Sequence, residues 1–294
     1  MKHLVFLTFV VFLFQLPLYA QPAIQDSIRL TANGAPWDVV IEGNVLDIKN
    51  VGTKPDGSYF LLFPSKDELN ISFYIEPAAK CKTSEQCRDF VLNAGNPAWG
   101  KFESLTKSKF GDFSYFEFFR PEVQGIPLKM QDMHAQYVDK GYWVDLHISK
   151  VLYKKEDKAL FEKLLNSVKF VPKSLPTDFD KIIEPVKKVA ESWLGVWGAK
   201  ICKESYGSLT SISREAIKEN QWVEYCTAAH QNLGNVKSRN LIAITTTRSL
   251  PGKPGTAGAA FRFQSEFENR NTVEFVSFTL EKDGTWTVSN YLVN

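Results

Sequence analysis

The chain has 294 residues, of which 44% are hydrophobic and 23% are charged, and its formal net charge at pH 7 is +2. Its 22 Phe, 10 Tyr and 7 Trp are far more large apolar side chains than an intrinsically disordered protein carries. The charges are mixed along the chain rather than gathered into a basic stripe, which excludes nucleic acid as an expected partner.

Residues 1–20 have the pattern of a secretory signal peptide. Lys2 precedes an apolar run from Leu4 to Phe14, and Leu18-Tyr19-Ala20 provides a small-residue cleavage site. The apolar run is about half as long as a membrane-spanning helix, and no other segment approaches that length. We therefore expect a periplasmic or secreted mature protein without a transmembrane segment.

The rest of the chain is long enough for two domains that each bury a core. Pro172, Pro176 and Pro185 fall close together near the middle of the sequence. Proline restricts its own backbone and that of its predecessor, and it cannot donate a ladder hydrogen bond, so this stretch is predicted to be a linker. The predicted divisions are an N-terminal α+β domain at residues 21–172, a linker at 173–184 and a C-terminal domain at 185–294.

Four cysteines follow the signal peptide. In an oxidising compartment an even number of cysteines indicates disulfides, and pairing within each domain requires no contact between domains. We expect Cys81 to pair with Cys87, and Cys202 with Cys226. The alternative is a thiolate metal site, which the spacings disfavour because they lack paired C-x-x-C motifs, and no metal or other cofactor is predicted.

The first domain is predicted to be an antiparallel sheet with packed helices. Apolar and polar residues alternate from Leu69 to Glu76, as in a half-buried strand. Thr83-x-x-Gln86 resembles a capping box for a short helix that stops near Gly95. The later elements are strands at 112–119, 130–138 and 142–149, a hairpin turn at Asp139-Lys140-Gly141, and an amphipathic helix at 156–168.

The first domain contains, in chain order, the strand Leu69 to Phe73, the cysteine pair, the strand Tyr142 to Ser149 and the helix Leu160 to Phe170. This order resembles that of PsbP-like and DcrB-like exported domains. The resemblance implies a β-sheet flanked by helices in a protein that binds partners rather than catalysing a reaction, and no functional residue is carried over from it.

The second domain is predicted to be helices followed by an antiparallel meander. Pro185 suits the first position of a helix, and Ser213 suits the cap of a second long helix that ends at Gly234. Asp283-Gly284 indicates a hairpin turn between the last two strands. With strands at 237–247, 259–267, 273–280 and 285–293, the pattern predicts an α+β, cystatin-like cone of helices on a curved sheet.

Several separate motifs occur in the last 105 residues or so of the chain. They are Glu191-Ser192-Trp193-Leu194, Gln221-Trp222, Leu233-Gly234, Ser238-Arg239, Leu250-Pro251-Gly252, Ser265-x-Phe267, Glu274, Asp283-Gly284-x-Trp286 and Tyr291. Their order and spacing resemble the bacterial domain of unknown function, family 4019, itself similar to the cystatin-like, nuclear-transport-factor-like superfamily. The chain has Gly198-Ala199-Lys200 where that family usually places an acidic residue, so no role of that acid is carried over.

Catalytic signatures are missing from the sequence: it has no G-x-S-x-G elbow, phosphate loop, H-E-x-x-H helix or dinucleotide fingerprint. His134 and His147 lie near Asp132 and Asp145 on the two arms of the predicted hairpin, and they face the same side if its turn is two residues long. Such a pair fits a solvated sheet face or, alternatively, a weak metal or pH-sensing site. His230 is interpreted as a favourable charge at a helix C-terminus rather than a catalytic base.

The second domain also holds aromatic and ionisable residues that either line a ligand pocket or fill the core. They are Trp193, Trp197, Trp222, Tyr225, Arg239, Glu274, Trp286 and Tyr291. An ionisable side chain pointing into an apolar cavity would favour the pocket, and Glu274 and Arg239 are the first to inspect.

The function predicted from the sequence is that of an exported, non-catalytic binding or scaffolding protein of the bacterial cell envelope. Its partner would be an unknown envelope protein or a small ligand. The alternative is a small-ligand carrier or an enzyme that uses the interior of the second domain, and fold alone does not decide between them.

Overall fold

The computed structural model describes residues 26–293 except 33, 44–47, 55–57, 65–68, 124, 174–177 and 251–254. The predicted signal peptide lies outside these ranges. The described residues are 29% helix and 47% strand, which confirms the predicted α+β class. No helix within the described ranges has both the length and the apolar character needed to cross a bilayer.

The elements fall into two seven-stranded antiparallel sheets and six α-helices within the described part of the chain. The strands are β1 (Ser27–Leu30), β2 (Trp37–Glu42), β3 (Ile48–Thr53), β4 (Tyr59–Pro64), β5 (Leu69–Pro77), β6 (Glu103–Phe110), β7 (Phe113–Arg120), β8 (Met130–Asp139), β9 (Tyr142–Lys150), β10 (Val168–Pro172), β11 (Val236–Thr247), β12 (Gly258–Phe267), β13 (Asn271–Leu280) and β14 (Trp286–Val293). The helices are α1 (Ser84–Ala94), α2 (Lys158–Ser167), α3 (Asp178–Gly198), α4 (Cys202–Gly207), α5 (Ser211–Ala216) and α6 (Glu219–Leu233).

Sheet 2, in the order β3-β4-β5-β9-β8-β7-β6, is built wholly from the first half of the chain. Its strands include the predicted alternating strand β5 and the predicted hairpin of β8 and β9. Helix α1 packs against β7 and β8. As predicted, it begins after Thr83, whose hydroxyl accepts a hydrogen bond from the Gln86 backbone at 3.2 Å, and ends before Gly95, whose φ is 65°.

Sheet 1, in the order β10-β2-β1-β11-β12-β13-β14, joins strands from both halves of the chain. Strand β1 pairs with β11, and β10 pairs with β2, so the sheet crosses the predicted boundary at residues 173–184. Successive side chains of β11 point to opposite faces of sheet 1. Ala243 enters the hydrophobic core that includes sheet 2, whereas Ile244 enters the core that includes the helices of the C-terminal half. One sheet therefore serves two hydrophobic cores.

Two helix starts differ from the predictions. Helix α3 begins at Asp178, so Pro185 lies inside it rather than at its first position, and part of the predicted linker is helical. Ile183 and Val186 are both buried in the second core, and this packing outweighs the local preference against an internal proline. Ser213 caps no long helix, because Thr210 caps the short α5 and α6 begins separately at Glu219.

Candidate functional site

The face of sheet 2 opposite its hydrophobic core carries ionisable residues on the central strands. Lys140 and Gly141 have positive φ angles of 49° and 79° and form a two-residue turn that places Asp139 opposite Tyr142. In this register His134 lies directly opposite His147, with ring centroids 4.5 Å apart. The register expected for a two-residue turn is confirmed, and the two histidines stack on one face.

Asp132, next to this pair, has its charge balanced by a neighbouring strand. Arg120 donates from Nε and Nη2 to its two carboxylate oxygens, at 2.7 and 2.8 Å, and Nε2 of His147 lies 3.1 Å from Oδ1. Burial raises the pKa of Asp132, but the hydrogen bonds from His147 and Arg120 outweigh it and the pKa is lowered. Burial lowers the pKa of His147, so at neutral pH a neutral imidazole faces an ionised carboxylate.

The negative charge of Asp145 is balanced less completely than that of Asp132. Nε2 of Gln136 donates to Oδ1 at 2.7 Å, and Nδ1 of His134 lies 3.2 Å from the same oxygen. Burial raises the pKa of Asp145, yet attraction to His134 and its hydrogen bond outweigh burial and the pKa is lowered. Across the described ranges Asp145 has no ion pair with a lysine or arginine, its only ionic contact being with His134.

One unused atom of this cluster, besides Oε1 of Gln136, is Nε2 of His134. It is buried and has no hydrogen-bond partner among the residues that the structure describes. The imidazole is held on both faces, by His147 and by Phe116 with ring centroids 5.0 Å apart, and Trp99 contacts it at 5.2 Å. The ring is therefore fixed in place, with one buried nitrogen that has no hydrogen-bond partner in the described ranges.

A cleft of about 500 Å³ opens over this face. We call it the cleft. Its floor is formed by two neighbouring strands, with Asn70, Ser72, Tyr74 and Glu76 on β5 and Trp143, Asp145 and His147 on β9. Beside this floor lie Arg120, Asp132 and His134. Its opposite wall is the C-terminal end of α1 and the turn that follows, with Phe90, Val91, Ala94, Gly95, Asn96 and Trp99, and Tyr59 completes the rim. Its volume is in the range of small-molecule sites, about 300–1,000 Å³.

The interior of the C-terminal half is different. Glu274 has no exposed surface. Arg239 donates to its two oxygens at 2.6 and 3.1 Å, the Tyr291 hydroxyl donates at 2.6 Å, and the Ser265 hydroxyl donates as well. Burial and the neighbouring Glu274 raise the pKa of Tyr291, which keeps that hydroxyl a donor. The carboxylate is thus saturated by donors from the protein itself.

The tryptophans for which both a pocket lining and core packing were considered mostly pack against one another and their aromatic neighbours. Trp197 is fully buried, and its ring centroid lies 4.7 Å from that of Tyr291. Trp193 and Trp222 both donate their indole N–H groups to Ser205, to its backbone oxygen at 3.2 Å and to its hydroxyl at 2.9 Å. This arrangement is that of a filled core.

The two remaining aromatic candidates lie at the edge of that core. The Tyr225 hydroxyl accepts a hydrogen bond from the Val293 backbone at 3.4 Å. Trp286, together with Trp193, borders an open groove of about 590 Å³ that also includes Lys188 and Arg214. The eight candidates therefore do not enclose one site.

The disulfides pair as predicted, Cys81 with Cys87 and Cys202 with Cys226. His230 lies within 4.8 Å of the second pair, but both of those sulfurs are already bonded to each other. The His230 ring is buried, with its centroid 4.1 Å from that of Trp197, and burial lowers its pKa. Interpreting it as a positive charge at a helix end was wrong, because a buried imidazole with a lowered pKa is neutral at neutral pH.

Sequence reasoning found the four ionisable residues of the hairpin and missed the rest of the cleft. Arg120 ends β7, one residue beyond the aromatic strand predicted at 112–119, and its position two residues after Phe118 on the same face was the available signal. Trp99 and the end of α1 reach the cleft through packing on β7 and β8, for which the sequence has no local signal.

Several solved structures are similar to the chain at low identity. The cyanobacterial PsbP (CyanoP) of Synechocystis sp. PCC 6803 is 14% identical, with a TM-score of 0.33, covering 50% of this chain and 93% of that one. A Bacteroides thetaiotaomicron protein is 11% identical, with a TM-score of 0.38, covering 84% and 89%; Bd1075 of Bdellovibrio bacteriovorus is 10% identical, with a TM-score of 0.33, covering 92% and 93%. Scores this low carry no argument about function.

Sequence comparison gives one match. No curated protein is significantly similar to the chain. Residues 189–291 match the model of the family described as "Protein of unknown function (DUF4019)". The match confirms the resemblance predicted for the last part of the chain and assigns no activity to it.

Proposed function

We propose that this is an exported, non-catalytic binding protein of the bacterial cell envelope that holds a small ligand in the cleft. The observation that carries the proposal is the buried Asp145–His134 pair: both residues line an aromatic-walled cavity of ligand size, and Nε2 of His134 has no hydrogen-bond partner in the described ranges. Ligand sites combine apolar walls with a few fixed polar groups, and the cleft has both. The carboxylate of Glu274, by contrast, is fully buried and receives hydrogen bonds from Arg239 and Tyr291.

Export is supported by two independent features. Residues 1–20 have the charge, apolar run and cleavage site of a signal peptide. Both cysteine pairs form disulfides, which persist in oxidising compartments and are rare in the cytosol. N-terminal sequencing of protein from the envelope fraction is expected to begin at Gln21, whereas a cytosolic protein that retains Met1 would contradict export.

A binding role without catalysis is supported by what surrounds His134. A carboxylate that orients an imidazole is the arrangement of a general base, but such a base activates a hydroxyl or thiol within hydrogen-bond reach. Within the described residues Nε2 of His134 has no such neighbour, and all four cysteines are in disulfides. The same atom can instead accept a hydrogen bond from a bound molecule.

Native mass spectrometry of the protein purified from its own host tests the proposal. Ala94→Trp places a large ring in the cleft from an exposed position on α1, and Asn93→Trp, also exposed but outside the cleft, is its matched control. We expect wild type and Asn93→Trp to carry a small-molecule adduct that Ala94→Trp lacks. An adduct of equal occupancy in all three proteins, or none in any of them, would contradict a ligand site in the cleft.

A further inference from the structure

We infer that the cleft selects an organic cation, a ligand with one or two ammonium groups. The inference rests on the proposed ligand-binding function and adds the chemical class of the ligand. Its basis is the charge balance of the cleft, the aromatic rings around it and the free nitrogen of His134.

Among the residues that line the cleft, carboxylates outnumber fixed cations, while the ammonium groups of Lys54 and Lys80 lie over aromatic rings of the lining. The lining contains three carboxylates, those of Glu76, Asp132 and Asp145, and one guanidinium, that of Arg120. Arg120 binds Asp132 through two hydrogen bonds, which leaves Asp145 and Glu76 without a lysine or arginine partner in the described part of the chain. A buried carboxylate without a cation is costly, so a cationic ligand gains more here than a neutral or anionic one.

The aromatic lining favours the same class of ligand. The cleft is bordered by five rings, those of Tyr59, Tyr74, Phe90, Trp99 and Trp143. Ammonium groups of the chain already lie over three of them: Nζ of Lys54 is 5.6 and 5.5 Å from the centroids of Tyr59 and Tyr74, and Nζ of Lys80 is 5.3 Å from that of Phe90. These distances are those of cation–π contacts, and aromatic cages of this kind recognise organic ammonium ions.

The hydrogen-bonding state of His134 also suits a cationic ligand. When the neutral ring donates its Nδ1–H group to Asp145, Nε2 is an acceptor, and an ammonium group that enters far enough to reach this buried atom can donate to it. Asp145 lies opposite Tyr74 in the ladder, and Glu76 is two residues further along β5. That diagonal position corresponds to about 7–8 Å between backbones, a separation that the two ends of a short diamine can bridge.

Isothermal titration calorimetry with three five-carbon probes tests the inference on the full mature protein. The probes are 1,5-diaminopentane, pentanedioate and pentane-1,5-diol, which differ only in their end groups. We expect saturable binding of the diamine with one site per chain, and binding of the diacid and the diol to be at least about tenfold weaker, as for loss of a charged hydrogen-bond partner. Tighter binding of the diacid, equal binding of the diol, or no binding of the diamine would overturn the inference.

Variants of the cleft make the test specific. Asp145→Asn is expected to weaken binding of the diamine by about tenfold or more. Glu76→Gln, at an exposed position that leaves the core intact, is expected to weaken it by a few fold, while the exposed Glu103→Gln on β6 changes nothing. Lys54→Gln removes a competing ammonium group and is expected to strengthen binding of the diamine, whereas weaker binding of the diamine by Lys54→Gln would contradict the inference.

The outcome is separable from that of the proposed function. If Ala94→Trp loses a neutral or anionic molecule that wild type carries, and the diamine does not bind, then the cleft is a ligand site and the cation inference is wrong. If Ala94→Trp and wild type carry the same adduct, the proposed function itself fails.

Discussion

The cluster around Glu274 and the cluster around Asp145 both bury a carboxylate in a β-sheet, yet they differ in how much of their hydrogen-bonding capacity the protein itself uses. Glu274 has no exposed surface and receives hydrogen bonds from Arg239, Tyr291 and Ser265. Asp145 receives hydrogen bonds from Gln136 and His134, and both Asp145 and His134 line an open cleft, with Nε2 of His134 buried and without a partner in the described ranges.

The difference shows that a buried charge is not in itself a sign of function. A cluster whose donors and acceptors are all used by the protein fixes the fold, because every group in it is committed. A cluster with capacity left over, next to a cavity, can use that capacity for a ligand. Three kinds of experiment compare the region around Glu274 with the region around Asp145: isosteric substitution of each carboxylate, removal of each disulfide, and acidification.

Neutralising each carboxylate is expected to give the largest contrast. Glu274→Gln leaves the mostly buried Arg239 without its counter-ion and is expected to cost about 3–5 kcal/mol of unfolding free energy. Asp145→Asn keeps an oxygen for Gln136 and removes no lysine or arginine partner, so we expect a loss of no more than about 1 kcal/mol. Urea unfolding measures both, and an Asp145→Asn loss equal to that of Glu274→Gln would contradict the contrast.

Removing the disulfides is expected to have a smaller and unequal effect on the two regions. The Cys202–Cys226 bond spans 24 residues and the Cys81–Cys87 bond spans 6. Because a longer loop loses more entropy on closure, replacing Cys202 and Cys226 with alanine is expected to cost about 3 kcal/mol, and replacing the other pair about 1 kcal/mol less. Thermal unfolding of the two double variants checks the order, and a larger loss for the short loop would reverse it.

Acidification is expected to have the smallest effect and to act on both regions. Burial lowers the folded-state pKa of His147 and of His230 below the ordinary value of 6.5. The unfolded chain therefore binds protons that the folded chain does not, and stability falls as the pH drops below about 6.5, by up to about 1.4 kcal/mol for each unit of pKa shift.

Urea unfolding between about pH 7.5 and about pH 5.5 measures this dependence. His147→Gln and His230→Gln are each expected to flatten the profile. A wild-type stability that rises on acidification over this range would contradict neutral, buried imidazoles in the folded state.

The parts of the fold with a local signal were predicted from the sequence. The alternation in β5, the capping residue Thr83 and the two-residue turn at Lys140-Gly141 each specify their own geometry, and that turn also sets the register of the histidine pair. The strands β11 to β14 were placed to within two residues for the same reason. Both disulfide pairs also agree with the prediction.

The parts that depend on distant packing were not predicted. Strand β1 pairs with β11 more than two hundred residues away, and no local pattern in four residues encodes that partner. The start of α3 before Pro185 depends on the burial of Ile183 in the second core. The cleft needs Trp99 and the end of α1 over a sheet face, a contact that exists only once the fold has formed.

Imidazole NMR of the mature protein, before and after addition of a small-molecule extract of its own host, tests most directly whether the cleft binds a ligand. The three histidines report on both regions at once, since His134 and His147 face the cleft and His230 packs against Trp197. We expect the signals of His134 and His147 to shift together and saturably while that of His230 stays in place. Unchanged signals from the cleft pair, or a shift of His230 alone, would contradict a ligand site in the cleft.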